Sequence, residues 1–328
     1  MNRQPMVSVV MSVFNAGKYL RASVDSILAQ SYTDFEFIIV DDGSGDSSWQ
    51  ILNGYKDDRI RLLKNEKNSG LVYSLNRGLD EARGKYIVRM DADDISLPDR
   101  LKSQVEYMES QQGIDVCGSF IQTFRDGDEI DEPCRRYPTD NAEIKGLMIF
   151  NCGFAHPAVI MRRDFLEKHG YRYREEYRHA EDYDLWCNMM ERAHFGNIPE
   201  VLLKYRLTKG SVSCNNAQAQ LARTTEIIQR NLCNLGMTAD VVALMSKDTL
   251  SKLEWNAVMG MFYELEFLIK NSNEYDYEFF KSGLQIYKKR FAKKHYYLGT
   301  HILRFFSKEE LPLRGASVHF VKHCILRR

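Results

Sequence analysis

The 328-residue sequence contains no run of 18 apolar residues, so it predicts no membrane-spanning helix. Its seven cysteines include no Cys-x-x-Cys pair and no His/Cys group with zinc-ligand spacing, which argues against a zinc site and a disulfide framework. Basic and acidic residues number 45 each, and this balance argues against a uniformly basic nucleic-acid-binding protein. We therefore expect a protein of a reducing, cytoplasmic compartment that binds no nucleic acid.

Several catalytic and phosphate-binding motifs are also missing. The first apolar run is not followed by Gly-x-Gly-x-x-Gly, and no P-loop motif occurs, so a dinucleotide oxidoreductase or P-loop NTPase lacks its phosphate-binding loop. No Gly-x-Ser-x-Gly motif supports a serine hydrolase. An EF-hand beginning at Asp91 fails because Ile95, Ser96 and Lys102 occupy positions that need Asp or Asn, Gly and Glu.

Four apolar runs alternate with helical patterns in the first 111 residues, which predicts a parallel sheet covered by helices. The predicted strands are Val7–Phe14, Phe35–Val40, Ile60–Leu63 and Tyr86–Met90. Ligands bind beyond the carboxyl ends of the strands in such sheets. We therefore expect the polar segments Ser12–Asn15, Asp41–Ser44 and Asp91–Asp94 to line one crevice.

The pattern changes after Gly113 and again near residue 210. Further strands are predicted at Val116–Phe124, Ala158–Met161 and Val201–Tyr205, with a helix at Glu181–Arg192. From about Asn216 the pattern indicates helices only. We predict an α/β domain over residues 1–210 and a helical region over residues 211–328.

The basic residues are concentrated at the C-terminal end. Residues 281–328 hold twelve Lys or Arg and two Glu, interleaved with aromatic and aliphatic residues. Phe291, Leu298, Ile302 and Phe305 could share one helical face, and basic amphipathic helices lie on membrane surfaces. We expect this end to dock on an anionic membrane surface; the alternative is a packed helical domain with a solvated basic face.

The sequence Asp91-Ala92-Asp93-Asp94 directly follows a predicted strand. Three neighbouring carboxylates repel one another unless a cation neutralises them, and carboxylate oxygens suit Mn²⁺ or Mg²⁺ bound together with substrate phosphates. A solvated acidic turn is the alternative. The Asp41–Ser44 segment also has two interpretations. Its carboxylates could accept hydrogen bonds from a nucleobase or ribose, or the segment could simply form an Asp-Gly turn.

A third acidic cluster is Glu181, Asp182 and Asp184, followed by Trp186. One of its carboxylates could act as a general base, with Trp186 on the same helical face as Asp182 as a stacking surface for a sugar. The alternative is a set of acids that favour a helix N-terminus. His156 precedes a predicted strand and is either structural or part of a binding site.

These segments, in this order and spacing, resemble the inverting, GT-A-fold glycosyltransferases of family 2. The likeness covers roughly residues 5–210 and rests on five motifs: Val7–Asn15, Val40–Ser44, Asn68–Gly70, Asp91–Asp94 and Glu181–Trp186. The stretch from Ser74 through Asp91–Pro98, which includes Asn76, is especially similar to bacterial enzymes that build O-antigen, capsule and exopolysaccharide. Some of these enzymes add a sugar to an undecaprenyl-diphosphate-linked primer.

The resemblance implies a UDP-sugar donor and assigns residues to it. Phe14 would stack on uracil and Ser12 would lie beside the nucleotide. Asp42 would bind the edge of the base, Asp91 would face the ribose or the metal, and Asp93 would hold Mn²⁺ or Mg²⁺ on the diphosphate.

On the acceptor side the resemblance implies that Asp182 deprotonates the acceptor hydroxyl while Glu181 orients the acceptor or the base. We assign His156 and Trp186 to the same side. Many relatives carry a histidine after the Tyr-Arg of the last strand, whereas this sequence continues with Leu207 and Thr208, so a third protein ligand for the metal is not implied.

The resulting hypothesis is a metal-dependent, inverting hexosyl or N-acetylhexosaminyl transferase that acts on a saccharide or lipid-linked saccharide in bacterial surface polysaccharide synthesis. Such an enzyme would be peripheral on the inner face of the cell membrane. A nucleotidyltransferase acting on sugar phosphates would share the sheet and the metal carboxylates but would release pyrophosphate. A non-catalytic sugar-nucleotide-binding subunit is a third possibility, and the presence of both Asp93 and Asp182 argues against it.

Overall fold

The computed structural model describes residues 4–126, 134–208 and 216–295. The described residues fall into two compact units. One contains those of Met1–Lys145 and Cys152–Thr224, and the other contains those of Gly146–Asn151 and Thr225–Arg328. The domain boundary expected near residue 210 stays a prediction.

The first unit is built on one sheet, to which the described residues contribute nine strands in the order β3-β2-β1-β4-β8-β6-β9-β5, with β7 paired to β6. The strands are β1 Val7–Val13, β2 Phe35–Asp41, β3 Ile60–Lys64, β4 Tyr86–Asp91, β5 Ile95–Ser96, β6 Val116–Phe124, β7 Cys134–Arg135, β8 Ile160–Arg162 and β9 Phe195–Arg206. Strands β3, β2, β1 and β4 run parallel, as do β6 and β9, whereas β8 is antiparallel to both β4 and β6. The predicted α/β, mostly parallel sheet is confirmed.

Helices lie between the strands of the first unit and make up most of the second. They are α1 Leu20–Leu28, α2 Ser48–Asn53, α3 Leu71–Glu81, α4 Arg100–Ser110, α5 Asn141–Met148, α6 Arg163–His169, α7 Glu181–Met189, α8 Ala217–Asn234, α9 Ala239–Ala243, α10 Lys252–Lys270 and α11 Tyr277–Lys294. The predicted helical character of the chain beyond residue 216 is present throughout the described part of that region.

The apolar runs form the central strands because both faces of this sheet are covered. Every residue of β2 is buried, and so are six of the seven residues of β1. Leu20, Val24 and Ile27 of α1 are also fully buried in the same core. Continuous burial explains why these strands are apolar at every position rather than at alternate ones.

The structure differs from the sequence-based prediction mainly at the ends of elements. Strand β8 begins two residues after the predicted start because His156–Ala158 forms a short 3-10 turn with Pro157 inside it. Helix α7 ends at Met189 rather than Arg192, and β9 begins at Phe195 rather than Val201. Strands β5 and β7 were not expected, because two residues are too few to show an alternating pattern.

The second unit is held together by aromatic side chains of α10 and α11. Helix α10 begins with a capping box in which the side chains of Ser251 and Glu254 each accept the other residue's backbone N–H. Trp255 and Phe262 on its inner face are buried. The ring of Phe291 on α11 stacks on Trp255 with 5.3 Å between centroids.

This packing corrects part of the membrane-docking prediction. Phe291 is buried against α10, so it cannot belong to an apolar face that enters a membrane. Lys288 is also buried, and its Nζ lies 3.7 Å from Glu266 Oε2. Leu298, Ile302 and Phe305 lie outside the described residues. Within the described ranges, no helix combines the length and the apolar character needed to cross a bilayer.

Candidate active site

The carboxyl ends of β2, β1 and β4 meet at one edge of the sheet. Strand register places Ser12 directly beside both Val40 and Asp91, and Val13 beside Asp41. Neighbouring strands are about 4.8 Å apart. The polar segments that follow these strands therefore start side by side, as the parallel topology predicts.

The loops after β1 and β2 are joined by hydrogen bonds. Asn15 has a left-handed backbone (φ 51°), its N–H donates to Ser44 Oγ at 3.0 Å, and its Oδ1 accepts from the N–H of Gly45 at 2.9 Å. The N–H of Gly17 donates to Asp46 Oδ2 at 2.9 Å. These bonds fix the backbone next to Phe14. Phe14 is 47% exposed, so its apolar ring is open to solvent at the end of a buried strand.

Asp41 and Asp42 are both buried, but only Asp42 is saturated by the protein. Asp42 Oδ1 accepts from Asn65 Nδ2 at 2.6 Å and from the N–H of Ser69 at 2.9 Å, and its Oδ2 accepts from the N–H of Gly70 at 2.8 Å. Among the described residues, Asp41 Oδ1 has no hydrogen-bond partner. The oxygens of Asp42 are thus used to hold the loop before α3, while Asp41 Oδ1 remains without a protein donor in the described ranges.

Gly43 follows these two carboxylates because no other residue fits there. Its φ is +67°, and a Cβ at this position would lie 2.6 Å from the backbone carbon of Lys67. A side chain would therefore push the Asp42 turn away from the loop that Asp42 binds. The Asp-Gly turn is present, and the carboxylate site proposed from the sequence stays a prediction.

Asp91, Asp93 and Asp94 come together at the end of β4. Each offers an oxygen within 4.8 Å of the oxygens of the other two. Asp94 Oδ1 accepts from the N–H of Arg206 at 2.8 Å, whereas its buried Oδ2 has no hydrogen-bond partner in the described part of the chain. Burial together with the charge of Asp91 raises the pKa of Asp93 to about 6 and that of Asp94 well above its ordinary value.

This arrangement fits a divalent cation. The pKa values of Asp93 and Asp94 are raised because the three carboxylates crowd one another and burial disfavours their charge, and one buried oxygen of Asp94 lacks a donor among the described residues. A hard cation would satisfy both needs with ligand atoms of the type it prefers. Asp93 is the predicted ligand, and Asp91 and Asp94 are close enough to contribute.

Arg206 on β9 holds the acidic loop in place. Besides the bond to Asp94, its Nε donates to the carbonyl oxygen of Asp93 at 2.7 Å. Its guanidinium carbon lies 4.5 Å from the ring centroids of both Tyr19 and Phe124. The stacked side chain therefore fixes the backbone of the acidic loop from the side of the last strand.

Glu181 and Asp182 form the first turn of α7. Burial and the neighbouring charge of Asp182 raise the pKa of Glu181 to about 7, and its buried Oε2 has no hydrogen-bond partner among the described residues. Burial also raises the pKa of Asp182, while the N–H of Tyr183 and the positive charge of Arg89 oppose that rise. The negative charge of Asp182 is one cause of the raised pKa of Glu181, so Asp182 loses its proton first and Glu181 is partly protonated near pH 7.

Arg89 connects this pair to the Asp91–Asp94 cluster. It lies on β4, is 4% exposed and forms an ion pair with Asp91. Its charge lowers the pKa of Asp93 as well as that of Asp182, and the charge of Asp91 also acts on Asp182. The two acidic clusters therefore lie within electrostatic reach of one buried guanidinium.

The structure corrects the role predicted for Trp186. Its side chain has no exposed surface and packs against Phe154 and His156 at centroid distances of 5.6 and 6.2 Å, so no ring face is available for a sugar to stack on. Trp186 belongs to the core beneath the Glu181–Asp182 turn.

His156 is buried as well, and its Nε2 shares a hydrogen bond of 2.8 Å with the Tyr173 hydroxyl. Burial and the charge of Arg89 lower its pKa well below the ordinary value, so it is neutral. The described contacts of His156 are with the protein, and its place on the acceptor side stays a prediction.

Arg89 and Arg206 were not identified from the sequence, and Asp41 was included in the predicted Asp41–Ser44 segment without a role of its own. A charged residue inside the otherwise apolar run of β4 was the available signal for Arg89, because a buried guanidinium needs a carboxylate partner. Asp41 and Asp42 could not be distinguished without knowing which of them faces the loop before α3. Arg206 gave no signal, because its partners lie more than 100 positions earlier in the chain.

Comparison with known proteins identifies relatives of this chain. Residues 8–170 match the family described as glycosyl transferase family 2. The O-antigen biosynthesis glycosyltransferase WbnJ of Escherichia coli is 36% identical over 211 residues, 62% of this chain and 80% of WbnJ. WfaP of Escherichia coli, named a UDP-Glc:alpha-D-GlcNAc-diphosphoundecaprenol beta-1,3-glucosyltransferase, is 30% identical over 226 residues, 68% of this chain and 86% of WfaP.

Two solved structures show the same fold at low sequence identity. Staphylococcus aureus TarS 1-349 in complex with UDP-GlcNAc has a TM-score of 0.59 at 18% identity, covering 88% of this chain and 83% of that structure. The Pyrobaculum calidifontis mannosyltransferase PcManGT, in complex with GDP-Man and Mn²⁺, has a TM-score of 0.54 at 14% identity, covering 94% and 87%. The chain therefore belongs to family 2 of the glycosyltransferases and has the GT-A fold.

Proposed function

We propose that this glycosyltransferase moves a sugar from a UDP-sugar to a glycan hydroxyl with inversion at the anomeric carbon. The observation that carries the proposal is the pairing of two acidic clusters around Arg89: one is suited to a cation and a diphosphate, and the other contains two neighbouring carboxyl groups, Glu181 and Asp182, whose pKa values are both raised. A binding protein would need only the first cluster.

For the donor, we assign recognition of the base to Asp41 and stacking to Phe14. Asp41 keeps an unsatisfied oxygen that could accept from the imide N–H of uracil, whereas Asp42 is filled by protein donors. Phe14 offers an exposed ring beside it, and Ser12 lies between Val40 and Asp91 in the register. The complex of TarS with UDP-GlcNAc supports a uridine nucleotide.

For the diphosphate, Asp93 would hold Mn²⁺ or Mg²⁺ with help from Asp91 and Asp94. The cation would neutralise the charge that develops on the leaving UDP. The Mn²⁺ in the complex of PcManGT supports this requirement. Arg206 and Arg89 keep the three carboxylates in place on either side.

The transfer step needs one base and no covalent intermediate. Asp182 accepts the proton of the acceptor hydroxyl as its oxygen bonds to the anomeric carbon, while the bond from that carbon to the diphosphate oxygen breaks on the opposite face and UDP leaves. Glu181, whose pKa is raised to about 7, can donate a hydrogen bond to the acceptor while it is protonated. The charge of Arg89 favours the ionised form of Asp182 before the hydroxyl proton arrives.

For the acceptor, the names of WbnJ and WfaP support a saccharide of bacterial surface polysaccharide synthesis, carried on a polyprenyl diphosphate. Such an acceptor lies in a membrane, which is consistent with peripheral attachment through the basic C-terminal end. In this proposal residues 1–210 form the catalytic domain and residues 211–328 the helical, membrane-proximal region.

A screen of UDP- and GDP-sugars with Mn²⁺ or Mg²⁺ and a polyprenyl-diphosphate-linked sugar tests the function. We expect release of UDP that depends on the acceptor, and a product whose new linkage has the anomeric configuration opposite to that of the donor. Release of pyrophosphate would identify a nucleotidyltransferase instead. Binding without turnover in the whole screen would contradict the catalytic assignment.

A further inference from the structure

Helix α3 contains an asparagine whose side chain holds a segment 97 positions away. Asn76 Nδ2 donates to the carbonyl oxygen of Tyr173 at 2.8 Å, and Asn76 Oδ1 accepts from the N–H of the same residue at 2.9 Å. The amide thus pairs with both backbone groups of Tyr173, as a neighbouring strand would. A side chain that satisfies two backbone groups of one residue fixes both its position and its orientation.

Tyr173 is the anchor of the segment that leads to the Glu181–Asp182 turn. Its ring is buried, and its hydroxyl shares the bond with His156 described above. The next residue, Arg174, forms a two-pronged ion pair with the buried Asp184 of α7, with Nε at 2.8 Å from Oδ2. Asn76 therefore holds the start of the segment at Tyr173, and the ion pair between Arg174 and Asp184 ties the same segment to α7.

The same helix contacts the donor side. Asn65 Nδ2 donates both to Asp42 Oδ1 at 2.6 Å and to the hydroxyl oxygen of Ser74 at 2.9 Å. Ser74 is two positions before Asn76, within one turn of α3. One rigid turn of helix therefore connects the loop that carries Asp41 and Asp42 with the segment that carries the acceptor base.

We propose that Asn76 is a positioning residue that sets Asp182 against the donor through Tyr173. The inference rests on the proposed function, because it assigns the base role to Asp182. Donor binding depends on the loop that α3 contacts through Ser74 and Asn65, and it does not need the Asn76–Tyr173 pair. Loss of the pair should therefore impair transfer while leaving nucleotide affinity unchanged.

A second contact between α3 and the same segment provides a matched control. Arg172 Nε donates to Asp80 Oδ1 at 3.0 Å, but the Asp80 side chain is 64% exposed. Exposed ion pairs are screened and contribute little. Asp80→Asn removes the charge from this surface contact one turn along the helix without touching the buried pair.

The experiment compares Asn76→Ala and Asp80→Asn with the wild-type protein by three measurements. The first is hydrogen–deuterium exchange of peptides covering residues 171–185 and 36–46. The second is UDP affinity with Mn²⁺, and the third is kcat and KM for donor and acceptor. For Asn76→Ala we expect faster exchange in 171–185 only, UDP affinity within twofold, and kcat lowered roughly 10- to 100-fold, since misplacement of a reacting group by about 1 Å can cost that much. Asp80→Asn should resemble the wild type in all three.

Asn76→Asp is the second variant, in case the alanine protein does not fold. Its carboxylate can still accept from the N–H of Tyr173 but cannot donate to the carbonyl, so we expect the same pattern of effects. Unchanged exchange and unchanged kcat in either folded variant would overturn the positioning role, and so would an equal loss of UDP affinity. A wild-type protein that releases no UDP would contradict the proposed function. The exchange measurement would still test whether the Asn76–Tyr173 pair holds the segment.

Discussion

Arg89 and Asp91 lie two positions apart on strand β4, on the same face of the sheet, and form an ion pair whose arginine is almost completely buried. The pair links a carboxylate of the proposed metal-binding cluster to the positively charged Arg89, which also acts on Asp182. The buried guanidinium therefore stabilises negative charge on both sides of the proposed reaction centre. This relationship is the basis of the first prediction.

Replacing Arg89 with methionine should move the acidic limb of the pH–kcat profile to higher pH. The positive charge lowers the pKa of Asp182, so its removal lets the base keep its proton to a higher pH, and activity is lost first at acidic pH. Breaking a buried pair also destabilises by about 3–5 kcal/mol, so the free energy of unfolding should be measured alongside the profile. Arg89→Lys keeps the charge and should leave the acidic limb of the profile where it is in the wild type. An identical profile for the wild type and the methionine variant would show that Arg89 acts only structurally.

Asp41→Asn and Asp42→Asn should differ in what they impair. Asp41→Asn replaces the free acceptor with an amide and should weaken UDP binding with little effect on unfolding, because no protein hydrogen bond to Asp41 Oδ1 is described. Asp42→Asn removes charge-assisted bonds to Ser69 and Gly70 and should lower the free energy of unfolding by about 1–3 kcal/mol. Calorimetry of UDP binding and denaturant unfolding check both. A greater loss of UDP affinity in the Asp42 variant would return the base contact to that residue.

Asp93→Ala should abolish turnover and the metal-dependent part of UDP binding. The change removes one of three carboxylates that converge within 4.8 Å and leaves the loop bonds of Asp94 and Arg206 intact. Calorimetry of UDP with and without Mn²⁺ measures the effect, and Asp58→Ala, at an exposed acid of the same unit, is the control. Metal-dependent binding that persists in the Asp93 variant would rule out the assignment.

Asp182→Asn should keep donor binding and lose transfer, with kcat lowered by roughly 10²–10⁴ because the amide cannot accept the hydroxyl proton. Glu181→Gln should retain most activity below about pH 7, since glutamine resembles the protonated acid that the raised pKa of Glu181 indicates. Initial rates of UDP release between pH 5.5 and 8.5, a range of about 3 units around the pKa of about 7, check both variants. The reverse order of effects would make Glu181 the base.

Removing residues 296–328 should weaken attachment to anionic vesicles without unfolding the helical unit. The described part of the basic end reaches His295, and its Phe291 and Lys288 are buried, so a truncation beginning at residue 281 would instead remove core side chains. Each lysine or arginine near an anionic surface contributes about 1 kcal/mol. Sedimentation with neutral and anionic vesicles, at low and high salt, measures the effect. Equal binding of both vesicle types by the full chain would favour a solvated basic face.

The sequence predicted the parallel strands β1, β2 and β4 because short-range patterns encode them. Strands β1, β2 and β4 are buried on both faces and therefore apolar at consecutive positions, and each ends where polar residues begin. Parallel pairing then requires that those ends meet at one edge. The Asp91–Asp94 cluster could be placed there, and the resemblance to family 2 identified, from short-range patterns alone.

The remaining features depend on contacts between distant parts of the chain. Asp41 and Asp42 are equivalent as sequence, and only the loop before α3 saturates one of them. Trp186 has the helical spacing of a stacking platform, yet the packing of Phe154 and His156 on it leaves no face exposed. Burial and hydrogen-bond satisfaction are set by which surfaces the tertiary structure brings together. For this reason the residue types and the crevice could be predicted from the sequence, whereas which carboxylate lacks a donor, which ring is covered and which asparagine holds Tyr173 were decided only by the folded chain.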